Sequence, residues 1–323
     1  MNILVTGDSG LIGSHLVDQL VKSHTVQGLS RSTRNPNPEC KRYGVDALDK
    51  QKTKEIIAEV APEVVVHLAA NAAEGKSVFS PIEITENNIN VFWNILVPAI
   101  KTGRLKRFVF VSSIAVYGSI HVPFREQDLP IPQDIYGINK LSIENSLRIM
   151  SQVHNFEYVI VRPHNVYGPR QNMTDPYRNV VTLFMNELLK GRAYNIFGDG
   201  SMLRCFSYVE DVVKVIAKCV NEDVAGLTFN VGSDHSYTIK ELSDIVQMVS
   251  KIKIPPNYLP DRVQEVHFAK SDHTLVKKVL GYEDTPLITG ITHTWRWAKA
   301  QGPQEYRYSE LELINDKVPQ SWK

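Results

Sequence analysis

Tyr136 and Lys140 stand four residues apart in Tyr136-Gly137-Ile138-Asn139-Lys140, a spacing that puts both side chains on one face of a helix. An unperturbed phenol has a pKa of ~10 and is a poor base at neutral pH. A neighbouring ammonium favours the phenolate and brings it toward useful general-base strength. Upstream, Ser112-Ser113 closes an apolar run, and a hydroxyl there can hold a reacting oxygen in line. Such a trio suits proton removal from an alcohol while hydride leaves the carbon.

A site for the hydride acceptor is legible at the start of the chain. Thr6-Gly7-Asp8-Ser9-Gly10-Leu11-Ile12-Gly13 follows the apolar run Asn2–Val5 and opens a helical pattern. Glycines in that setting permit a tight turn and close backbone approach to a diphosphate, which sits on the positive helix N-terminus. Gly7, Gly10, Leu11, Ile12 and Gly13 therefore read as a dinucleotide-binding turn. NAD sites usually place Asp or Glu at the end of the second strand, bonded to the adenosine ribose. This chain has Ser30-Arg31-Ser32 there, with Arg34 close behind. The missing carboxylate removes repulsion toward a 2′-phosphate, and Arg31 can pair with one, stack on adenine or face water. These residues leave NAD and NADP both open.

The elements that must position these groups alternate along the first two thirds of the chain. Asn2–Thr6, Thr25–Ser30, Tyr43–Asp46, Glu63–Leu68, Arg107–Ser113 and Tyr158–Arg162 read as short buried strands rich in Val, Ile and Phe. Helical patterns lie near Leu11–Lys22, Lys50–Val60, Thr85–Thr102 and Tyr136–Val153. That alternation predicts an α/β fold, a parallel sheet with helices on both faces. The helix Ile89–Ile100 is apolar on most of its circumference, more than one sheet face requires. Another subunit or the C-terminal lobe would cover the remainder. Beyond Arg162 come loops rich in Pro, Asn and Gly, a helix near Val180–Lys190 and the turn Gly198–Ser201. The strand Thr228–Val231 is expected to return to the sheet.

Composition narrows the class. The chain has 323 residues, 43% of them hydrophobic and 22% charged, with a formal net charge of +1. Those values fit an ordinary soluble globular protein and show no global bias toward nucleic acid or anionic membranes. Cys40, Cys205 and Cys219 are scattered, and the ten histidines form no HxH or HxxxH group, so neither a disulfide framework nor a metal site is expected. No run approaches the ~20 apolar residues that span a bilayer, and the first residues read as a strand and not as a leader. The expected location is the cytosol.

TGDSGLIG, HLAANAA (67–73), NINVFWNIL (88–96), FVSSIAVYG, YGINK, RPHNVYGPR, IFGDGSMLRCFSYVEDV and RVQEV occur in this order over nearly residues 1–285. In this the chain resembles extended short-chain dehydrogenase/reductases of the nucleotide-sugar epimerase/dehydratase family, and among them the UDP-hexose 4-epimerases. The resemblance implies a Rossmann-type doubly wound parallel sheet with a smaller C-terminal α/β substrate lobe. Residues 1–165, with 205–231 returning, would hold the dinucleotide; 166–204 and 232–323 would hold a nucleotide sugar. The implied enzyme is an NAD(P)-dependent homodimer that binds neither nucleic acid nor membrane.

The resemblance also implies roles. Ser113, Tyr136 and Lys140 would be the catalytic trio. Ser30, Arg31, Asp46 and Ala47 would meet the adenosine; Leu68, Ala69 and Ala70 would flank the diphosphate and nicotinamide ribose. Asn88 would line the pocket behind the sheet, and Pro163 would offer backbone contacts to the nicotinamide amide. Asn165, Asn179, Arg204 and Arg262 would bind the substrate diphosphate, Glu265 its ribose, and Asn195 to Phe197 would pass the base. His164 would reach the sugar or fill space, and Ala269 would leave room for an N-acetyl group. After Ser113, dehydratases of this family carry an Asp-Glu pair, decarboxylases a Glu and epimerase/reductases a Cys nearby. Here Ile114-Ala115-Val116-Tyr117 stands in that place. What remains is hydride transfer, which suits a 4-epimerase working through a transient 4-keto sugar. An NADP-dependent nucleotide-ketosugar reductase is the alternative.

Overall fold

The computed structural model describes residues 1–32, 37–178, 180–262 and 268–322. Seven strands form one parallel sheet: β1 (Asn2–Thr6), β2 (Thr25–Ser30), β3 (Lys41–Gly44), β4 (Val64–His67), β5 (Arg107–Val111), β6 (Glu157–Pro163) and β7 (Thr228–Val231). Their order is β7-β6-β5-β4-β1-β2-β3. The chain moves outward from β1 through β3, then crosses back to β4 on the other side of β1. That reversal opens a crevice at the carboxyl ends of β1 and β4, where α/β sheets bind ligands.

Side-chain alternation divides the core into two layers. Ile3 and Val5 face one side, with α1 (Leu11–Leu20); Leu4 faces the other, with α2 (Lys50–Val60) and α3 (Val91–Lys101). The long α4 (Ile135–His154) packs in the second layer through Ile143 and Leu147. α5 (Val180–Leu189) and α6 (Val209–Asn221) pack in the first. As expected from the sequence, Thr228–Val231 returns to the sheet, beside β6 in the register Thr228↔Ile160.

Three details differ from the expected elements. β3 starts at Lys41 and not Tyr43. It is the sheet edge, where polar side chains are tolerated and a buried-strand pattern is not required. The helix expected over 85–102 is Pro81–Thr85, a π-helical turn at Glu86–Asn90, and α3. The apolar circumference of α3 is spent mainly on the sheet and α2: Val91, Phe92, Ile95, Leu96 and Ala99 are buried. Among the described residues its apolar cluster has no member beyond Ile160, so the C-terminal lobe does not supply the cover. Val97 is left outside at 36% exposure.

Short strand pairs build the other half of the crevice. Asn195–Phe197 runs parallel to Asn257–Leu259, Leu203–Cys205 lies antiparallel to Ser236–Thr238, and Val166–Tyr167 lies beside Ser207–Tyr208. No helix among the described residues is long and apolar enough to cross a membrane.

Candidate active site

Gly7 leaves β1 with φ +71°, a left-handed conformation that glycine adopts without strain, and its N–H donates to the Leu29 carbonyl at 2.8 Å. A methyl on Gly7 would lie 2.9 Å from the Ala69 nitrogen, and one on Gly13 would run into the Gly7 carbonyl. The turn is thus folded so that no side chain fills the cradle at the start of α1. A cavity of about 1170 Å³ opens there and runs through the crevice.

Fifteen of the sixteen residues expected to touch the cofactor line this cavity: Gly7, Gly10, Leu11, Ile12, Gly13, Ser30, Arg31, Asp46, Ala47, Leu68, Ala69, Ala70, Tyr136, Lys140 and Pro163. The exception is Asn88. It sits one layer behind, on the π-helical turn, and donates to the carbonyls of Ile84 (2.7 Å) and Asn71 (3.1 Å). It therefore shapes the segment after Ala70 rather than the cavity wall. Arg34 lies outside the described residues.

The adenosine end holds a group not expected from the sequence. Asp8, fully buried within the glycine turn, pairs with the Arg42 guanidinium from β3. Arg42 Nη2 also donates to Ser30 Oγ at 2.7 Å, and Ser30 Oγ meets Ser9 Oγ at 2.9 Å. Glycine at position 28 is required here, because a methyl would collide with the Asp8 carboxylate. A carboxylate is thus present beside β2, supplied by the glycine turn after β1 and compensated by Arg42 of β3. Nothing in the pattern of β3 signals this use of Arg42.

Ser113, Tyr136 and Lys140 line the same cavity. Ser113 ends the segment after β5, and its Oγ accepts the Ala115 N–H at 3.1 Å. Asp134 caps α4 by accepting the Gly137 N–H at 2.7 Å, which fixes the helix start and hence Tyr136. Lys140 Nζ donates to the Val111 carbonyl at 2.8 Å and lies 5.6 Å from the centre of the Tyr136 ring.

The electrostatics differ from the expected phenolate–ammonium pair. Burial raises the Tyr136 pKa, and the Glu74 carboxylate raises it further, against a lowering hydrogen bond from Ser113. Burial lowers Lys140 to about 7, against the opposing effect of Glu144. Burial thus favours the neutral form of both groups, and an oxidised nicotinamide at the glycine turn would add positive charge that favours the phenolate.

Behind the trio lies a buried network. Glu144, one turn beyond Lys140 on α4, accepts from Ser112 Oγ (2.6 Å), Arg162 Nε (2.9 Å) and Arg162 Nη2 (2.6 Å). Arg162 Nη1 donates to Tyr117 Oη at 2.6 Å, and Tyr117 donates to Asn230 at 2.8 Å. Ser112 and Arg162 immediately precede Ser113 and Pro163, so this network sets the position of both.

At the opposite end of the cavity stand Asn165, Asn195, Phe197, Arg204, Arg262 and Ala269. Asn165 Nδ2 donates to the Cys205 carbonyl at 3.0 Å, and the Arg262 guanidinium lies 4.8 Å over the Phe197 ring. Asn179 and Glu265 lie outside the described residues. His164 is buried, with Nε2 2.5 Å from Ser271 Oγ, and burial together with His273 and Arg204 holds its pKa well below the usual value. It is a neutral packing group on the cavity wall. Glu74, Tyr177, Arg178 and Trp322 also line the cavity and were not expected from the sequence. Glu74 follows HLAANAA directly, the one signal that could have found it beside the nicotinamide ribose.

A parallel sheet with a glycine turn at its switch point and a Ser–Tyr–Lys trio facing that turn defines a dinucleotide-dependent enzyme of the short-chain dehydrogenase/reductase class. The chain belongs to the NAD dependent epimerase/dehydratase family, whose model matches residues 3–232, and NAD is the cofactor its turn serves. It is 32% identical to a UDP-glucose 4-epimerase of Mycolicibacterium smegmatis, over 91% of this chain and 97% of that protein. It is 31% identical to a UDP-N-acetyl-alpha-D-glucosaminuronate decarboxylase of Bacillus cytotoxicus, over 91% and 96%. Its fold matches the UDP-glucose 4-epimerase of Thermotoga maritima, solved with UDP-glucose, at a TM-score of 0.87 and 32% identity, over 93% of this chain and 99% of that one.

Proposed function

We propose that the chain is a nucleotide-sugar 4-epimerase that acts on a UDP-hexose or UDP-N-acetylhexosamine through a transient 4-keto sugar. One observation carries the reading: Ser113, Tyr136 and Lys140 share a cavity with Asn165, Arg204 and Arg262, while apolar Ile114 and Ala115 stand next to the serine. Tyr136 takes the proton of the sugar 4-hydroxyl, Ser113 holds that oxygen in line, and Lys140 stabilises the charge that develops. NAD held at the glycine turn would supply the hydride chemistry at carbon 4 in both directions. The two arginines, whose fork donors match phosphate oxygens, anchor the diphosphate while the ketone turns over.

Ala269 leaves space beside the sugar for an N-acetyl group. Residues 1–165 with 205–231 serve the cofactor, and 166–204 with 232–323 the nucleotide sugar. A homodimer through α3 and α4 is supported by the apolar side chains they leave outward: Val97, Ile138, Ile149 and Val153.

The test is incubation with a panel of UDP-sugars without added reductant, with product configuration read by NMR. Interconversion of 4-epimers is the expected result. Stoichiometric consumption of reduced cofactor with a ketosugar, or release of carbon dioxide from a UDP-uronate, would replace the reading with a reductase or a decarboxylase.

A further inference from the structure

The stretch after Gln301 has no helix or strand of its own before the short turn Gln320–Trp322, yet it lies against the sugar end of the cavity and is pinned there. Its backbone bonds to three separate parts of the molecule. Gln304 N–H donates to Asn186 Oδ1 (2.8 Å), Arg307 N–H to the Thr174 carbonyl (2.8 Å), and Leu313 N–H to the Phe79 carbonyl (2.9 Å). Lys76, itself buried, donates to Ser309 Oγ at 2.7 Å, and Tyr177 Oη donates to the Ser309 carbonyl at 2.9 Å. The Glu312 carboxylate accepts the N–H groups of Ile82 (2.9 Å) and Glu83 (2.7 Å), the first donors of a helical turn. Leu311, Val318 and Trp322 are then buried in the same apolar cluster as Phe79, Tyr136 and Tyr177.

Trp322 is only 6% exposed and lines the cavity. Its ring stands edge-on to Tyr177 (5.3 Å, 79°) and to Phe79 (6.4 Å, 85°). The Arg262 guanidinium, 4.8 Å over Phe197, is 6.0 Å from the Trp322 ring centre, within the range of cation–π attraction. Gly75 completes the contact. A methyl there would lie 3.1 Å from Trp322 Cη2 and 3.7 Å from Arg262 Nη1, so a larger residue would push the ring and crowd the arginine. Gly75, Arg262 and Trp322, far apart in sequence, meet where the sugar end joins the nucleotide end.

We infer that Trp322 is a positioning residue. It holds Arg262 over the diphosphate subsite and, with segment 303–322, roofs the sugar end so that the oxidised sugar stays between the two hydride transfers. This rests on the 4-epimerase reading. In the first half-reaction the sugar loses its carbon-4 hydride to NAD and its hydroxyl proton to Tyr136. If the anchor loosens before the return step, the 4-keto nucleotide sugar leaves as product and the enzyme keeps reduced cofactor. The roof therefore governs the partition between epimerisation and abortive oxidation.

The experiment compares wild type, Trp322→Ala and Trp322→Phe as NAD-loaded protein, with thermal unfolding followed in parallel. UDP affinity is measured by calorimetry, and the reduced cofactor left after incubation with UDP-glucose or UDP-N-acetylglucosamine by absorbance at ~340 nm. Trp322→Ala is expected to weaken UDP and raise KM by about tenfold, with kcat changed less than about threefold. It should also leave several times more reduced cofactor, and Trp322→Phe should restore both readouts to within about twofold of wild type. Wild-type UDP affinity and reduced-cofactor yield in a folded Trp322→Ala protein would overturn the inference. Should that variant fail to fold, Trp322→Leu, which keeps apolar bulk but no ring, decides by the same two readouts. Wild type that interconverts no UDP-sugar would overturn the epimerase reading instead, while calorimetry still decides the role of Trp322.

Discussion

The two ends of the cavity are built by different means. At the cofactor end, wall residues such as Gly7, Ser30, Leu68 and Ser113 stand at or just beyond the carboxyl ends of parallel strands. Those strands are fixed by a continuous ladder and two buried layers. At the sugar end the wall comes from strands of two or three residues, from loops, and from segment 303–322. The rigid end holds the reacting atoms to the tolerance that proton and hydride transfer demand. The assembled end recognises the nucleotide sugar and can be varied without rebuilding the sheet. Changes at the two ends should therefore fail differently.

The largest effect is expected at Tyr136. Tyr136→Phe removes only the transferable proton, so turnover should fall by about 10²–10⁴-fold while calorimetry finds NAD and UDP bound as in wild type. Loss of binding together with turnover would place the residue in recognition rather than chemistry.

Next comes the network beneath the cofactor end. Glu144→Ala would strand the buried Arg162 guanidinium, at a cost of about 3–5 kcal/mol, measured by denaturant unfolding. Arg204→Ala, at the assembled end, should spare the melting temperature yet weaken UDP by about ten- to a hundredfold. Equal stability losses in these two variants would erase the distinction between the ends.

The most gradual effect, read as a slope and not as a single loss, concerns pH. Burial holds His67 at about 3 and His164 well below its usual value. The unfolded chain takes up protons at these sites below pH ~6.5 while the folded chain does not. Stability should fall as pH drops through that range, by at most about 1.4 kcal/mol per unit for each imidazole. His67→Leu should make the acid limb shallower, as followed by melting temperature between pH 4 and 7 (a range of roughly three units on this scale).

The cofactor end was the more legible in the sequence because its determinants are local. The turn 7–13 and the pair Tyr136 and Lys140 each occupy one short stretch, and the strands carry uninterrupted apolar runs. What escaped depends on distant partners. Arg42 matters because Asp8 is buried opposite it, and Glu144 on α4 because Arg162 reaches it from β6. Asn88 was expected at the pocket from the family resemblance alone, and it stands on the π-helical turn with its amide donating to the Ile84 carbonyl. Trp322 carries no motif; its place follows from the bonds of Ser309 and Glu312 with residues more than a hundred positions away. The nucleotide-sugar residues came from the family resemblance rather than from periodicity.

The central claim is that one cavity carries a sugar through oxidation and re-reduction at carbon 4. The most direct measurement is proton NMR of the NAD-loaded enzyme with a single UDP-hexose and no added reductant. The account predicts that the mixture settles to the two 4-epimers at constant total sugar, with the cofactor oxidised at the end. A spectrum in which the starting sugar persists, or in which the hexose leaves only as a ketosugar or a decarboxylated product, would contradict it.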